Sequence, residues 1–286
     1  MVLAEKSIVI KINKDLLRSH SPQDVIAVVK QANMEMLDGV NVSTALHRLA
    51  SFEEIDVRRT TQSPEFVMLV SSIPMKISTM AVRNITNVMW AFAKLHPEYQ
   101  VDAGILDILA RAMHLQLEMK KDVLPQNLSN MLWAMATLNY APRCPLLPAI
   151  EKGVRELIAR FSPQNLSNTV LSFAKLGYYP SERTIKIVID GIRKSIDDFG
   201  AQALSNTVWG MSKMGIKDPE VYDIISTASL GKIRSFTPQN LSLSLWGFAN
   251  IGYNPGQREL TVFADAACDR IGQFSAQNIV RAWNIY

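Results

Sequence analysis

Polar side chains recur at the same places in a phrase that this chain repeats several times. Glutamine and asparagine each offer a hydrogen-bond donor and an acceptor, which recognition of a base edge requires, and lysine or arginine can contact phosphates. Side chains of this kind along one surface of a repeat protein are typical of single-stranded RNA binding. The candidate RNA-binding residues are Arg83, Asn87, Lys94, Gln126, Asn130, Gln164, Asn168, Lys175, Gln202, Asn206, Lys213, Gln239, Asn250, Gln277 and Arg281.

Residues arranged for catalysis are not visible in the sequence. It contains no phosphate-binding glycine loop, nucleophile elbow or kinase signature. The four histidines stand in different stretches without a second metal ligand at helical spacing. We therefore expect a protein that is not an enzyme, with no metal, no cofactor and no small-molecule substrate. The histidines are His20, His47, His96 and His114.

The repeated phrase has a nearly constant period. One apolar position, here termed the anchor, recurs with spacings of 38, 38, 37 and 38 residues, and two looser upstream copies are each 43 residues from the next. Such a period predicts an array of structural repeats, seven in this chain. The anchors are Val42, Ile85, Leu128, Leu166, Leu204, Leu241 and Ile279.

Each phrase carries the signals of a helix with both ends marked. Ser162 is a good N-cap, Pro163 suits the first helical position, and Phe161 can pack against Leu166 across the helix start. Eleven residues after the anchor come residue types that accept the left-handed conformation at a helix end. These closing residues are Asn139, Gly177, Gly215 and Gly252.

A preceding helix of similar length completes each repeat, and short connections carry the Pro and Gly residues. The sequence predicts an all-α fold, a right-handed α-solenoid of paired antiparallel helices with about seven repeats of about 38 residues. Residues 1–20 are expected to form an N-terminal lead-in that is extended or strand-like over residues 1–14, and 21–100 two divergent capping-type repeats. Residues 101–286 are expected to form the regular array, truncated at the C-terminus.

Composition excludes several classes of protein. A hydrophobic content of 48% suffices for a continuous core, and a net charge of +4 with a pI of about 9.0 is compatible with nucleic acid. The sequence contains no run of eighteen apolar residues, so it predicts no membrane span. The chain start is typical of neither a signal peptide nor a transit segment. Two isolated cysteines predict reduced thiols without a disulfide framework.

Two sets of side chains allow alternative interpretations. Asparagines directly before the anchors can cap helices or form a ladder that satisfies neighbouring polar groups, rather than contact RNA. Tryptophans five residues after the anchors can fill the core between repeats or stack on bases. The asparagines are Asn127, Asn165, Asn240 and Asn278, and the tryptophans are Trp90, Trp133, Trp209 and Trp246.

The segments PQNLSNMLWAMATLNY, PQNLSNTVLSFAKLGYYP and PQNLSLSLWGFANIGYNP resemble the octotricopeptide repeat, and equally the heptatricopeptide repeat, of organellar RNA-binding proteins. The resemblance implies paired-helix superhelices that bind single-stranded RNA in mitochondria or chloroplasts and support transcript stability, processing, splicing or translation. Proteins of this kind often end in a small nuclease-like RAP domain, which this sequence lacks. Leu171 replaces the usual tryptophan.

Two hypotheses of function follow. The first is a non-catalytic, sequence-selective protein of organellar RNA metabolism that contacts roughly five to seven nucleotides of single-stranded RNA. The alternative is a structural component of a large organellar ribonucleoprotein such as a mitochondrial ribosome, with ribosomal RNA, ribosomal proteins or other ribonucleoprotein proteins as its partners. The modest net charge and the identical asparagines of successive repeats favour the alternative.

Overall fold

The computed structural model describes residues 2–119 and 122–283, and the side chains of 6–119 and 122–279. Within those residues every regular element is a helix: sixteen α-helices and five short 3-10 turns. This confirms the all-α prediction. The chain divides into two compact units, Met1–Ile150 and Glu151–Tyr286.

The first unit contains eight helices and the start of a ninth. They are α1 (Val2–Arg18), α2 (Pro22–Met36), α3 (Gly39–Ser51), α4 (Val57–Thr61), α5 (Pro64–Lys76), α6 (Val82–Leu95), α7 (Ala103–Glu118), α8 (Pro125–Thr137) and the beginning of α9 (Leu146–Leu157). The anchors lie in α3, α6 and α8, the second helices of three repeats. Each second helix packs against the next one, and the first helices form a layer beside them.

The second unit continues the same alternation. Its helices after α9 are α10 (Pro163–Leu176), α11 (Glu182–Ser195), α12 (Ala201–Lys213), α13 (Pro219–Gly231), α14 (Pro238–Ile251), α15 (Gln257–Cys268) and α16 (Ala276–Trp283). The second helices α10, α12, α14 and α16 pack in order, and α11, α13 and α15 lie beside them. Each unit is therefore built as a two-layer stack of helix pairs, which is the packing of an α-solenoid.

The helix ends lie where the caps predict them. The hydroxyl of Ser162 accepts a hydrogen bond from the backbone N–H of Asn165 at 3.2 Å. At the other end of α10, Gly177 has φ 64°, and the N–H of Tyr178 donates to the carbonyl of Phe173 at 3.0 Å. The same left-handed residue and closing bond recur after α8, α12 and α14. Local cap chemistry thus determines the length of each second helix.

The extended conformation predicted for residues 1–14 is wrong, because Val2–Arg18 forms a helix. Its β-branched segment favours a strand locally, but the described residues offer no other strand to pair with it. A helix satisfies its own backbone groups and buries Ile12 and Leu16, four residues apart, against the first repeat. The amide of Asn41 donates to the carbonyl of Val9 at 3.1 Å and holds α1 against α3.

Two glycines bring second helices of the second unit into close contact. An added Cβ at Gly210 in α12 would lie 2.9 Å from the carbonyl oxygen of Val170 in α10. An added Cβ at Gly247 in α14 would lie 2.6 Å from Cγ1 of Val208 in α12. Both glycines stand six residues after an anchor. The sequence did not single them out, because close approach depends on which helix lies opposite.

Candidate nucleic-acid interface

Four positions fall on one face of each second helix, and within each unit these faces form a stripe, here termed the second-helix stripe. The four positions lie two residues before the anchor and two, five and nine residues after it. Successive spacings of four, three and four residues keep them within an arc of about 60° at 3.6 residues per turn. The core-facing positions between them are buried in most repeats, so the stripe is the surface by which second helices meet solvent.

Long side chains two residues before the anchor are all exposed. In α6 the position holds Arg83, and the later second helices carry a glutamine there. Because an exposed glutamine amide keeps a donor and an acceptor available, this set is suited to hydrogen-bond a ligand. The glutamines are Gln126, Gln164, Gln202, Gln239 and Gln277.

Asparagines two residues after the anchor differ in burial. Asn87, Asn130 and Asn168 are half-buried, whereas Asn206 is only 8% exposed. Asn206 lies in α12, which has a closely packed second helix on each side, so little of its amide faces solvent. The side chain of Arg281 lies outside the described residues.

The position nine residues after the anchor carries exposed polar ends. Lys94, Lys175 and Lys213 are exposed there. Asn250 occupies the same place in α14, and its amide nitrogen donates to the carbonyl of Ser212 in α12 at 3.1 Å. The three lysines place positive charge at one end of the stripe, while Asn250 links two neighbouring helices.

Aromatic rings occupy the middle of the stripe. Trp90, Trp133, Trp209 and Trp246 are half-buried, so they neither fill the core completely nor stand free in solvent. The ring centroids of Trp209 and Trp246 are 6.0 Å apart, with the planes tilted by 32°. His47 takes the same position in α3, and its ring centroid lies 4.7 Å from that of Trp90. Rings at this position therefore contact each other between α3 and α6 and between α12 and α14.

The asparagines directly before the anchors have a structural role. The amide nitrogen of Asn127 donates to Oγ1 of Thr86 at 3.3 Å, and that of Asn240 donates to Oγ of Ser205 at 3.0 Å. Each acceptor belongs to the preceding second helix. Their Oδ1 atoms accept the N–H of the N-cap residue of the same helix. The ladder interpretation is confirmed for these two residues.

Two further residues extend this pattern of caps. Asn84, which the sequence did not single out although it stands directly before an anchor, donates to Oγ of Ser43 at 2.9 Å. The backbone N–H of Ser162 donates to Oδ1 of Asn165 at 3.2 Å, so Asn165 also caps its helix. The asparagine ladder thus lies beside the stripe and holds the second helices in register.

Charge is distributed unequally between the two helix layers. The second helices α3, α6, α8, α10, α12, α14 and α16 contain no Asp or Glu, so all 26 acidic residues lie elsewhere in the chain. These helices therefore carry cations but no carboxylate of their own. Burial, with the neighbouring charges of Arg48 and Arg83, lowers the pKa of His47. A surface of this sign attracts anionic ligands.

The described residues provide neither a metal site nor a membrane-spanning helix. None of their His, Cys, Asp and Glu side chains gather in a group of three or more that is able to hold a metal ion. Across residues 2–119 and 122–283, no helix combines the length and apolarity needed to cross a bilayer.

The fold defines a helical-repeat protein whose second helices present polar and aromatic side chains to solvent. Residues 99–220 match the family model described as Tbc2 translation factor, N-terminal domain. This segment includes Gln126, Asn130, Gln164, Asn168 and Gln202 of the stripe. A comparison with curated proteins gave no match. A translation-related helical protein is compatible with these findings.

Proposed function

We propose that this chain is a non-catalytic protein that binds single-stranded RNA with sequence selectivity through the second-helix stripe. It would act in the RNA metabolism of mitochondria or chloroplasts, in transcript stability, processing or translation. The observation that carries the proposal is the composition of the stripe. Exposed amides, half-buried indoles and lysines follow one another on helices that contain no carboxylate.

Each component of the stripe matches one part of a nucleotide. Glutamine amides hydrogen-bond base edges, aromatic rings stack on base faces, and lysines neutralise phosphates. The match of residues 99–220 to a translation-factor domain supports an RNA-related role. Variation between repeats supplies selectivity, because Arg83 and Leu243 replace the amides that other repeats carry at the same positions.

A scaffold role in an organellar ribonucleoprotein is the second candidate. The burial of Asn206 and the bond from Asn250 to the Ser212 carbonyl favour it, because both amides are withdrawn from a ligand. The two candidates differ in the partner that covers the stripe. Selection from a random pool of single-stranded RNA separates them, since a scaffold that contacts protein enriches no sequence.

A salt series of RNA binding tests the site. We expect Lys94→Ala with Lys213→Ala to weaken binding of short single-stranded RNA and to make the slope of log K against log salt shallower by about 1.4, which is about 0.7 for each lost phosphate contact. The measurement is fluorescence anisotropy at several salt concentrations.

The matched control is Lys186→Ala with Lys194→Ala on α11, where both lysines are exposed. It removes the same charge from a first helix and should leave the slope unchanged. A larger effect of this control pair would move the binding surface to the first helices and contradict the proposal.

A further inference from the structure

We propose that Trp209 and Trp246 form a base-stacking platform that supplies affinity without selectivity. This inference rests on the proposed RNA-binding function and assigns a separate task to the aromatic residues. It concerns the second unit alone, where α12 and α14 place the two rings in contact.

The geometry of the pair suits stacking on its outer surface. Both rings are half-buried and lie in the middle of the stripe. Their centroids are 6.0 Å apart and the planes are tilted by 32°. A base inserted between two rings needs two stacking distances of about 3.4 Å each, so this gap is too small and too tilted. Bases are therefore expected to stack on the solvent side of the pair.

The surroundings of the pair match a nucleotide chain. Exposed Gln202 and Gln239 lie seven residues before the rings on the same helices, and exposed Lys213 lies four residues after Trp209. No carboxylate occurs on either helix. A base face stacked on the indoles would thus have amides at one end of the stripe and a phosphate contact at the other.

The chain itself provides a natural control for the pair. Leu171 occupies the equivalent position in α10 and is 8% exposed. Leucine is therefore accommodated at this position of the repeat, and a Trp→Leu change copies a side chain that the fold already uses. By the same reasoning, Leu171→Trp would place a third ring beside Trp209.

The experiment compares variants by anisotropy with a short single-stranded RNA and with an abasic strand of the same length. Stacking of one base contributes about 1–3 kcal/mol, or about fivefold to a hundredfold in affinity. Trp209→Leu with Trp246→Leu should weaken RNA binding by at least fivefold and leave the salt slope unchanged, since stacking releases no counterions. The abasic strand should bind both proteins equally, and Leu171→Trp should tighten RNA binding.

Two further variants test specificity and folding. Trp209→Phe retains a ring and should retain most of the affinity, which a variant that merely unfolds would not do. Tyr179→Leu removes an aromatic side chain that is 67% exposed outside the stripe, and should have no effect. Thermal melts by circular dichroism verify that each variant is folded.

The outcomes separate this inference from the function on which it rests. If the wild-type chain binds RNA with a salt-dependent affinity that the double leucine variant shares, the stacking platform is wrong and RNA binding stands. If the leucine variant loses affinity for the abasic strand equally, the rings act through packing and the inference is also wrong. If the wild-type chain binds no single-stranded RNA, both proposals fail.

Discussion

Glu151 is a buried carboxylate whose oxygen atoms are heavily hydrogen-bonded. The hydroxyl of Tyr178 donates to Oε2 at 2.6 Å. Oε1 accepts hydrogen bonds from the backbone N–H of Ser181 at 3.0 Å and from its hydroxyl at 2.6 Å. It also accepts from the hydroxyl of Thr184 at 2.6 Å and from the guanidinium of Arg155 at 2.8 Å. The carboxylate thereby ties α9 to the end of the loop after α10 and to the start of α11.

These contacts control the ionisation of Glu151. Burial by itself would raise the pKa of the carboxyl, but hydrogen bonds from Ser181, Thr184 and Tyr178 outweigh it and lower the pKa to about 2. A carboxyl whose pKa is lower in the folded state than its ordinary value of 4.5 stabilises the fold above that value. The contribution is lost as the pH falls from about 4.5 towards 2.

We expect Glu151→Gln to lower the free energy of unfolding by about 2–4 kcal/mol near neutral pH, because an amide nitrogen leaves several buried donors without an acceptor. It should also flatten the fall of stability between pH 4.5 and 2. Urea unfolding followed by circular dichroism at several pH values measures both effects.

The control is Glu156→Gln, which replaces an exposed carboxylate on the same helix and should change stability by less than about 1 kcal/mol. Equal effects of the two variants would contradict the role of Glu151.

A tyrosine bonded to a carboxylate recurs in other repeats. The hydroxyl of Tyr140 donates to Asp107 at 2.6 Å, and that of Tyr253 donates to Asp223 at 2.5 Å. Burial and these hydrogen bonds raise the pKa of both tyrosines. Ile216 takes the equivalent place after α12 and has no hydroxyl. The tyrosine position is visible in the repeat, but the carboxylate stands at a variable distance before it and only the structure identifies it.

At the scale of the element, α12 lacks the side-chain cap that α10 and α14 have and the ladder bond that α14 makes. Gly200 precedes it without a side-chain cap, and Ala203 stands where α10 and α14 have an asparagine. The hydroxyl of Ser167 therefore accepts no hydrogen bond from an asparagine of α12. The hydroxyl of Ser205, by contrast, accepts one from the amide nitrogen of Asn240 in α14 at 3.0 Å.

Gly200→Ser with Ala203→Asn should raise the free energy of unfolding by about 1 kcal/mol. The pair creates a capping box, and the new amide lies one residue before the anchor, in reach of Ser167. The backbone at Gly200, with φ −78° and ψ 171°, already suits an N-cap serine. Chemical denaturation measures the gain. Gly200→Ser alone should contribute a few tenths of a kcal/mol, and a double variant no more stable than this single variant would contradict the ladder.

Close packing of α12 on α10 leads to a second prediction. In an exposed helix Gly→Ala raises the stability of the fold by about 1 kcal/mol. At Gly210, however, the new Cβ would lie 2.9 Å from the carbonyl oxygen of Val170 and 2.8 Å from Cγ1 of the same residue. Backbone must shift to relieve this overlap, and overpacking costs about 1–3 kcal/mol. We therefore expect Gly210→Ala to be destabilising, as measured by thermal unfolding.

Gly231→Ala, where no atom lies within 4 Å of the added Cβ, is the control and should be neutral or stabilising. Stabilisation at both sites would show that α10 and α12 are not in close contact.

At the scale of the whole molecule, the acidic residues lie in α1, in the first helices and in the connections between helices. The net charge of +4 conceals this separation. All 26 acidic side chains balance positive charge outside the second helices, and none lies in the second helices themselves. An anion that approaches the second-helix stripe meets lysines and arginines without a carboxylate on those helices. The distribution of charge, rather than its sum, therefore favours nucleic acid.

Single-stranded RNA should stabilise the folded chain. A ligand that binds the native state at a hundred times its Kd adds about 2.7 kcal/mol to the apparent stability, so the thermal unfolding midpoint should rise by several degrees. High salt should abolish the shift, because phosphate contacts dominate affinity. Differential scanning fluorimetry with and without RNA measures it. An equal shift with a non-ionic polymer, or persistence of the shift in high salt, would contradict binding through the stripe.

The sequence by itself determined the repeat period, the ends of the second helices and the offsets of their polar residues. The helix predicted to begin at Pro163 and to close at Gly177 is α10, which begins at Pro163 and is followed by Gly177 with φ 64°. Capping and helix periodicity are interactions between residues a few positions apart, so the printed order of side chains contains them.

Only the tertiary structure decided which of those residues reach solvent. It placed the indoles of Trp209 and Trp246 in the middle of the polar stripe, withdrew Asn206 from it and gave Asn127 and Asn240 a partner on the preceding helix. It also converted the strand-like segment before Arg18 into a helix. The physical reason is common to all of these: exposure and long-range hydrogen bonding depend on the helix that lies opposite, about 38 residues away in the chain.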